Sequence, residues 1–186
     1  MNIYTRRGDT GLTDTADGRR VPKADPAMEA VGTLDELNAH LGLLAAEAHR
    51  SFTQQQLSQL SAELSLITAA QRHLFGIGAR AVGVRQPQRM PQAADVAALE
   101  TAIDRLQQAD EALFRGFVLP GGAPAAAQAH VARTVCRRAE RGLLAIGADS
   151  WHDAPAALAY MNRLSDFLFA VAKKMNRLAN VDEIKC

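Results

Sequence analysis

The chain has 186 residues and a formal net charge of +1, and 5% of its residues are aromatic. This length is enough for a substantial hydrophobic core and predicts one domain spanning residues 1–186. The near-neutral charge argues against broad nucleic-acid binding, which normally requires an excess of basic residues. The few aromatic residues also provide no evident platform on which bases could stack.

Hydropathy and cysteine usage exclude further classes of protein. No apolar run approaches the ~20 residues needed to span a membrane, and the N-terminus contains no hydrophobic signal segment. Cys136 lies within a helical pattern and Cys186 is the last residue, which is not the pattern of a disulfide framework. These features predict a cytoplasmic protein that has neither a nucleic acid nor a membrane as a partner.

An N-terminal arm, residues 1–24, precedes the first helical pattern and lacks sustained periodicity. It is rich in glycine, threonine, aspartate and arginine. Glycines let backbone amides approach an anion, and hydroxyl and basic side chains supply further donors. The arm is therefore a candidate anion-binding loop, although its spacing is not that of a Walker A motif. The alternative is a frayed terminus without a function.

Apolar residues at helical spacing predict three helices after the arm. Asp25 is the expected N-cap of the first helix and Pro26 its first residue. Asp35 lies beside the apolar face of this helix. It could meet a basic residue of a neighbouring helix or remain an ordinary surface carboxylate. The three predicted helices are residues 25–48, 53–80 and 95–113.

Two more helices are predicted in the second half of the chain. The fourth spans residues 124–146 and ends at Gly147, a residue type that favours helix ends. The fifth begins with Ser150 or Asp153 as its cap and runs to residue 178. No segment shows a convincing strand pattern.

This order of elements predicts an all-α protein. It consists of a five-helix up-and-down bundle at residues 25–178, an extended N-terminal arm and a tail at residues 179–186.

The basic residues of the fourth helix are concentrated in residues 133–141, which contain four arginines and one glutamate. Arg133, Arg137 and Arg141, here called the arginine ladder, form a stripe beside and opposite the apolar face. They span two turns, or about 12 Å. With Arg138 nearby, they provide bidentate donors suited to a polyphosphate. The alternative interpretation is a charged face that is merely solvated.

A second polar stripe lies on the fifth helix and contains Asn162, Asp166, Phe169 and Lys173. Asp166 is placed where it could hold an arginine of the fourth helix. The alternatives are an ordinary surface amide for Asn162 and the edge of the hydrophobic core for Phe169.

Several kinds of catalytic site are excluded by the sequence. The five histidines are scattered and none forms the Glu-x-x-His motif of di-iron bundles. No cysteine–histidine cluster fits zinc, and no Gly-x-Ser-x-Gly nucleophile motif occurs. We therefore predict no metal site within the chain. Arginines, carboxylates and an amide suggest binding and electrostatic stabilisation instead.

Four blocks of sequence together resemble the PduO-type ATP:cob(I)alamin adenosyltransferases, also called corrinoid adenosyltransferases. The blocks lie in the family's order and span nearly the whole chain. They are TRRGDTGLT at 5–13, VGTLDELN at 31–38, FVLPGG at 117–122 followed by RTVCRRAER at 133–141, and YMNRLSDFLF at 160–169.

The resemblance implies a homotrimer of bundles that are ferritin-like, of the cobalamin adenosyltransferase type, with active sites between subunits. Asp35 would pair with Arg133, and these two residues, with Arg137 and Asn162, are the implied catalytic residues. Phe117 would line the corrinoid side together with Phe169 and help to exclude the lower axial ligand. The implied ATP-binding residues are Thr5, Arg7, Gly8, Asp9, Gly11, Thr13, Lys23, Arg137, Arg138, Glu140, Arg141, Asn162 and Asp166.

The implied reaction is attack by the Co(I) of a reduced corrinoid on C5′ of ATP, which forms a cobalt–carbon bond and expels triphosphate. Mg²⁺ would accompany ATP, and a corrinoid reductase and an adenosylcobalamin-dependent acceptor enzyme are implied partners. Because cobalt is the nucleophile, no protein nucleophile is needed, and an arginine ladder is most useful where charge builds on triphosphate. Two alternatives stay open. One is a non-catalytic module that binds ATP or a corrinoid for delivery or sensing, and the other is a structural helical oligomer.

Overall fold

The computed structural model describes residues 4–186, with the backbone alone for Ala148, so the first three residues of the predicted arm lie outside the described residues. It contains five α-helices, which confirms the predicted helical bundle. Short 3-10 helices occupy Glu111–Phe114 and Ala148–Trp151. The α-helices are α1 Pro26–Ser51, α2 Gln54–Ala81, α3 Ala93–Ala109, α4 Pro124–Ala145 and α5 Pro155–Leu178.

The expectation that the chain has no strand is wrong, because the arm contains a small antiparallel hairpin. Strand β1, Leu12–Asp14, pairs with β2, Arg20–Pro22. Arg7 and Arg20 both donate to the Asp14 carboxylate, at 3.0 and 3.2 Å, which holds the segment before β1 against the hairpin. Each strand has three residues. That is too short for an alternating pattern to be recognised in the sequence.

The start of one helix follows the predicted capping and the start of another differs. Asp25 accepts a hydrogen bond from the Ala27 amide at 2.9 Å, as predicted for the N-cap of α1. The predicted cap of α5 at Ser150 or Asp153 is wrong, because α5 begins at Pro155 with no side-chain cap. Proline suits the first helical position, since its missing N–H would have had no partner there. The third predicted helix also ends early, at Ala109, and continues as a 3-10 helix.

The helices alternate in direction, and contacts between them define the bundle. Helix α1 packs against α2 and α4, and α5 packs against α4 and α3. Leu37, Leu41 and Leu44 of α1 are fully buried in the core. Each such leucine stabilises the fold by about 1.5–3 kcal/mol. Helix α4 lies against α1 at Gly142, where an added Cβ would be in ordinary van der Waals contact, 3.6 Å from Ala30.

Among the helices of residues 4–186, none is both long enough and apolar enough to cross a membrane.

Candidate active site

Helices α4 and α5 run antiparallel and bring the two predicted polar stripes together along one seam, here called the α4–α5 site. The Asn162 side-chain amide donates to Glu140 at 3.3 Å. One turn further along, Arg133, Arg137 and Asp166 line a cavity of about 310 Å³. The α4–α5 site consists of Arg133, Arg137, Glu140, Arg141, Asn162, Asp166 and Phe169.

One end of the α4–α5 site is charged and the other is aromatic. Phe169 lines the same cavity as the two arginines. Its ring centroid lies 6.4 Å from that of Phe114 and 6.0 Å from that of His130, both in edge-on geometry. Asn162 and Phe169 are seven residues apart on α5, a separation of about 10 Å along the helix axis. The site can therefore hold a polar group and a flat apolar group side by side.

The arginine ladder lies along α4 as the sequence predicts, but its three members have different environments. Arg137 and Arg141 are exposed, and Arg141 donates to the Arg137 carbonyl at 3.0 Å. Arg133 is half-buried, and its Nε atom has no hydrogen-bond partner in the described part of the chain. Burial, followed by the charge of Arg137, holds the pKa of the Arg133 guanidinium below its usual value. An anion bound here would favour the charged guanidinium and so offset the effects of burial and of Arg137.

Arg138 does not join the other arginines. It forms an ion pair with Glu36 of α1, and so faces the α1 side of α4. The prediction that Arg138 binds ATP therefore receives no support from its position in this chain.

The predicted arm residues lie together in and before the hairpin. Gly11 adopts a φ of 80°, and its carbonyl accepts a hydrogen bond from the Lys23 amide at 2.8 Å. A Cβ on Gly8 would lie 3.1 Å from the Lys23 Nζ atom, so the lysine side chain crosses the glycine closely. Thr13 lies in β1. Thr5, Arg7 and Asp9 are exposed.

The arm does not reach the arginine ladder of its own chain. It is attached at the end of α2, where Arg19 donates to the Val82 carbonyl at 3.4 Å. Among residues 4–186, no hydrogen bond or ion pair joins the arm to Arg133, Arg137 or Arg141. The two halves of the predicted ATP site are therefore not brought together within one copy.

The predicted pairing of Asp35 with Arg133 is also not formed within the described chain. Asp35 is exposed and lines a cavity of about 380 Å³ between α1 and α2, together with Asn38 and Phe75. Arg133 lines a different cavity, where α4 meets α5 and α3. The sequence places both residues beside the apolar faces of their helices. It does not indicate which neighbouring helices each residue will lie against.

The C-terminal tail, for which no role is predicted, packs beside the predicted corrinoid residues. Phe117 is 86% exposed on the loop before α4. The Leu119 amide donates to the Ile184 carbonyl at 2.8 Å, and the Cys186 amide donates to the Phe117 carbonyl at 3.1 Å. Lys173 of the second polar stripe is buried and pairs with Glu183 of the tail. It is the signal that could have found this contact, because a buried ammonium group needs a carboxylate nearby.

The described residues offer no activated nucleophile and no metal cluster at the α4–α5 site. Cys136 is buried and donates to the Met161 carbonyl at 3.3 Å, and burial raises the pKa of its thiol. No group of three or more histidine, cysteine, aspartate or glutamate side chains is arranged to hold a metal ion in residues 4–186. The arginines, the amide and the aromatic ring of the site are suited to anion binding, orientation and exclusion of water.

Comparison with known proteins decides the family. The family model for cobalamin adenosyltransferase matches residues 3–175. The chain belongs to the cobalamin adenosyltransferase family.

Relatives in this family match nearly the whole chain. The corrinoid adenosyltransferase PduO of Salmonella typhimurium is 42% identical over 93% of this chain, which spans only 49% of that protein. The cobalamin adenosyltransferase of Cupriavidus metallidurans is 38% identical, with 98% of this chain and 92% of that protein covered. The chain therefore matches about half the length of the first relative and nearly all of the second.

A solved cobalamin adenosyltransferase shares the fold. It is a phenylalanine-to-alanine variant of the PduO-type ATP:corrinoid adenosyltransferase from Lactobacillus reuteri, in complex with cobalamin and ATP. It is 32% identical to this chain with a TM-score of 0.83, and the match covers 100% of this chain and 99% of that one.

Proposed function

We propose that this protein transfers the 5′-deoxyadenosyl group of ATP to the Co(I) centre of a reduced corrinoid, giving adenosylcobalamin and triphosphate. The observation that carries the proposal is the α4–α5 site, where arginines and an aromatic wall line one cavity. Membership of the cobalamin adenosyltransferase family supports it. The reaction requires binding, orientation and charge stabilisation, which are the properties that these residues offer.

The charged end of the site is proposed to bind ATP. The electron pair of Co(I) forms the bond to C5′, while the C5′–oxygen bond breaks and its electrons leave on triphosphate. Arg137 and Arg141 stabilise the charge that builds on the leaving group, and this interaction lowers the barrier because it strengthens in the transition state. Glu140 and Asn162, already in contact with each other, orient the nucleotide.

The aromatic end is proposed to receive the corrinoid. Phe169 packs edge-on against Phe114 and His130, so its ring is held in a fixed orientation. Phe117, exposed on its loop, supplies a second apolar surface. Together they exclude water and the lower axial ligand from the cobalt, which protects a strong nucleophile from side reactions.

We propose that the complete site forms between subunits of a homotrimer. The arm does not reach the ladder of its own chain, so the arm of a neighbouring copy would supply Thr5, Gly8 and the residues that follow. Arg133 has a buried Nε atom without a partner in the described chain. Asp35 of a neighbouring copy would supply the missing carboxylate. The exposed Phe75 beside Asp35 suits burial at such an interface.

Mg²⁺ is proposed to enter with ATP, because it takes oxygen ligands from phosphates, water and one or two carboxylates. The carboxylates of Asp166 and Glu140 are the acceptors present at the charged end. When bound, the ion would neutralise phosphate charge. A corrinoid reductase to supply Co(I), an adenosylcobalamin-dependent acceptor enzyme and a cytoplasmic location complete the proposal. The free thiols of Cys136 and Cys186 are compatible with a reducing compartment.

The experiment is an anaerobic assay of the wild-type protein with cob(I)alamin and MgATP. Formation of adenosylcobalamin is followed by absorbance, and triphosphate is identified by chromatography. We expect both products in equal amounts, and neither when ATP is omitted. Tight binding of both ligands without a cobalt–carbon product would instead support a non-catalytic module for delivery or sensing.

A further inference from the structure

The C-terminal tail is held to α5 by a buried ion pair. Lys173 is 1% exposed and donates to Glu183 at 2.5 Å. The other carboxylate oxygen of Glu183 accepts a hydrogen bond from the Asn176 side chain at 3.2 Å. An ammonium group buried at this depth is strongly unfavourable without a counter-charge. Glu183 therefore fixes the tail against the bundle at one position.

The backbone on either side of that position holds the loop that carries Phe117. Ile184 accepts the Leu119 amide, and the Cys186 amide donates to the Phe117 carbonyl. A bridge between Val118 and Lys185 lies between these two bonds. Phe117 is too exposed to be positioned by packing of its own ring. Its backbone is instead positioned by the segment that follows Glu183.

The same ion pair reaches the second aromatic residue and the start of α4. The Lys173 ammonium lies 5.4 Å from the centroid of the Phe169 ring, a distance typical of a cation–π contact. Asn176, which donates to Glu183, also donates to the Gly121 carbonyl at 3.1 Å and accepts from the Ala123 amide at 2.9 Å. Glu183 is thus connected to both of the aromatic residues predicted to face the corrinoid.

We propose that Glu183 is a positioning residue for the corrinoid side of the site. Through Lys173 and through the backbone pairing of residues 117–119 with the tail, it holds Phe169 and Phe117 in the relative arrangement that the corrinoid meets. This inference rests on the proposed adenosyl transfer. Glu183 contacts none of the groups proposed to bind ATP, so its effect is confined to the corrinoid.

The test compares Glu183→Gln with Asp182→Asn, which makes the same chemical change at an exposed neighbour in the tail. In the first variant we expect amide hydrogen exchange in residues 117–119 to be faster by about tenfold, because the tail detaches more often. We also expect kcat/KM for the corrinoid to fall by about tenfold to a hundredfold, with KM for ATP within about twofold of wild type. Asp182→Asn should change neither quantity.

A second variant covers the case in which Glu183→Gln does not fold because Lys173 stays buried without its partner. Deletion of residues 181–186 removes the tail and also opens Lys173 to water. It should reproduce the faster exchange in residues 117–119 and the loss confined to the corrinoid.

The inference is overturned if residues 117–119 exchange at the wild-type rate in the variant that folds. It is also overturned if the kinetic loss is equal for ATP and for the corrinoid, which would indicate a general loss of stability. A wild-type protein that forms no adenosylcobalamin would contradict the proposed function. The exchange measurement would still decide whether Glu183 holds the loop.

Discussion

Arg133 and Arg137 lie one helical turn apart and line the same cavity between α4 and α5. Burial is the larger cause that holds the pKa of Arg133 below its usual value, and the charge of Arg137 is the second. Two guanidinium groups are therefore held close together without a carboxylate of the described chain bonded to either. Such a pair favours an anionic ligand, because a bound anion removes the repulsion between them.

Replacing Arg137 with alanine tests the leaving-group role. We expect Arg137→Ala to lower kcat/KM by about 100- to 1000-fold, the usual effect of removing a donor that stabilises transition-state charge. Because Arg137 is exposed, circular dichroism and Tm should stay near wild type. Arg50→Ala is the matched control, since Arg50 is an exposed arginine paired with Glu47 at the end of α1. A loss of less than about threefold for Arg137→Ala would contradict a role in the transition state.

Exchanging the charges of Asp35 and Arg133 tests the contact between copies. Asp35→Arg or Arg133→Asp alone should weaken the trimer and lower activity, because each places like charges together at the interface. The double variant should recover part of both properties, measured by sedimentation velocity and by the adenosyl-transfer assay.

The control for this exchange is Glu36→Arg, since Glu36 already pairs with Arg138 inside the chain. Arg133→Asp should not rescue that variant. If the double variant loses as much trimer stability and activity as the two single variants combined, Asp35 and Arg133 do not meet.

A pair of adjacent glycines tests the geometry at the start of α4. Gly122 has a φ of 101°, and a Cβ there would lie 2.1 Å from the Asn176 Oδ1 atom. Gly122→Ala should therefore lower the free energy of unfolding by about 1–3 kcal/mol, from strain at a positive φ. A Cβ on Gly121 would have no atom within 4 Å. Gly121→Ala should stay within about 0.5 kcal/mol of wild type in urea unfolding. Equal effects would contradict the described turn.

His130 predicts how stability depends on pH. It is buried, its two ring nitrogens have no hydrogen-bond partner in the described residues, and burial followed by the charge of Arg133 lowers its pKa from 6.5. As the pH falls, the His130 imidazole therefore binds a proton at a higher pH in the unfolded chain than in the folded chain. This contribution to stability is complete above pH 6.5 and is lost as the pH falls toward the lower pKa of the folded state.

The measurement is the free energy of unfolding between pH 7.5 and pH 5. His130→Gln should reduce the slope of this free energy against pH by at most the amount that corresponds to the uptake of one proton. His152→Gln, at an exposed histidine, should leave the slope unchanged. An unaltered slope in His130→Gln would contradict the burial of an uncharged imidazole.

The helices could be predicted from the sequence because their apolar residues repeat over many turns, and Asp25 with Pro26 marks a clear start. The hairpin could not, because three residues on each side are too few to show alternation. Ser150 and Asp153 are both favourable caps, so the sequence predicts too early a start for α5. The helix begins at Pro155, which suits the first helical position because proline has no N–H.

The site was predictable where it depends on one helix and unpredictable where it depends on long-range contacts. The positions of Arg137 and Asn162 follow from helical spacing. The ion pair of the exposed Arg138 with Glu36 and the placement of Asp35 and Arg133 in different cavities follow from which helices are neighbours, and spacing does not encode that. The contact of Glu183 with Lys173 could not be predicted, because it depends on the path that the tail takes in the fold.

The most direct test of the account is a crystal structure of the protein with MgATP and cobalamin. We predict that the triphosphate lies within hydrogen-bond distance of Arg137 and Arg141 and is enclosed by the arm of a neighbouring copy. The corrin ring should lie against Phe117 and Phe169. A triphosphate bound away from both arginines, or a corrin ring remote from both aromatic residues, would contradict the account.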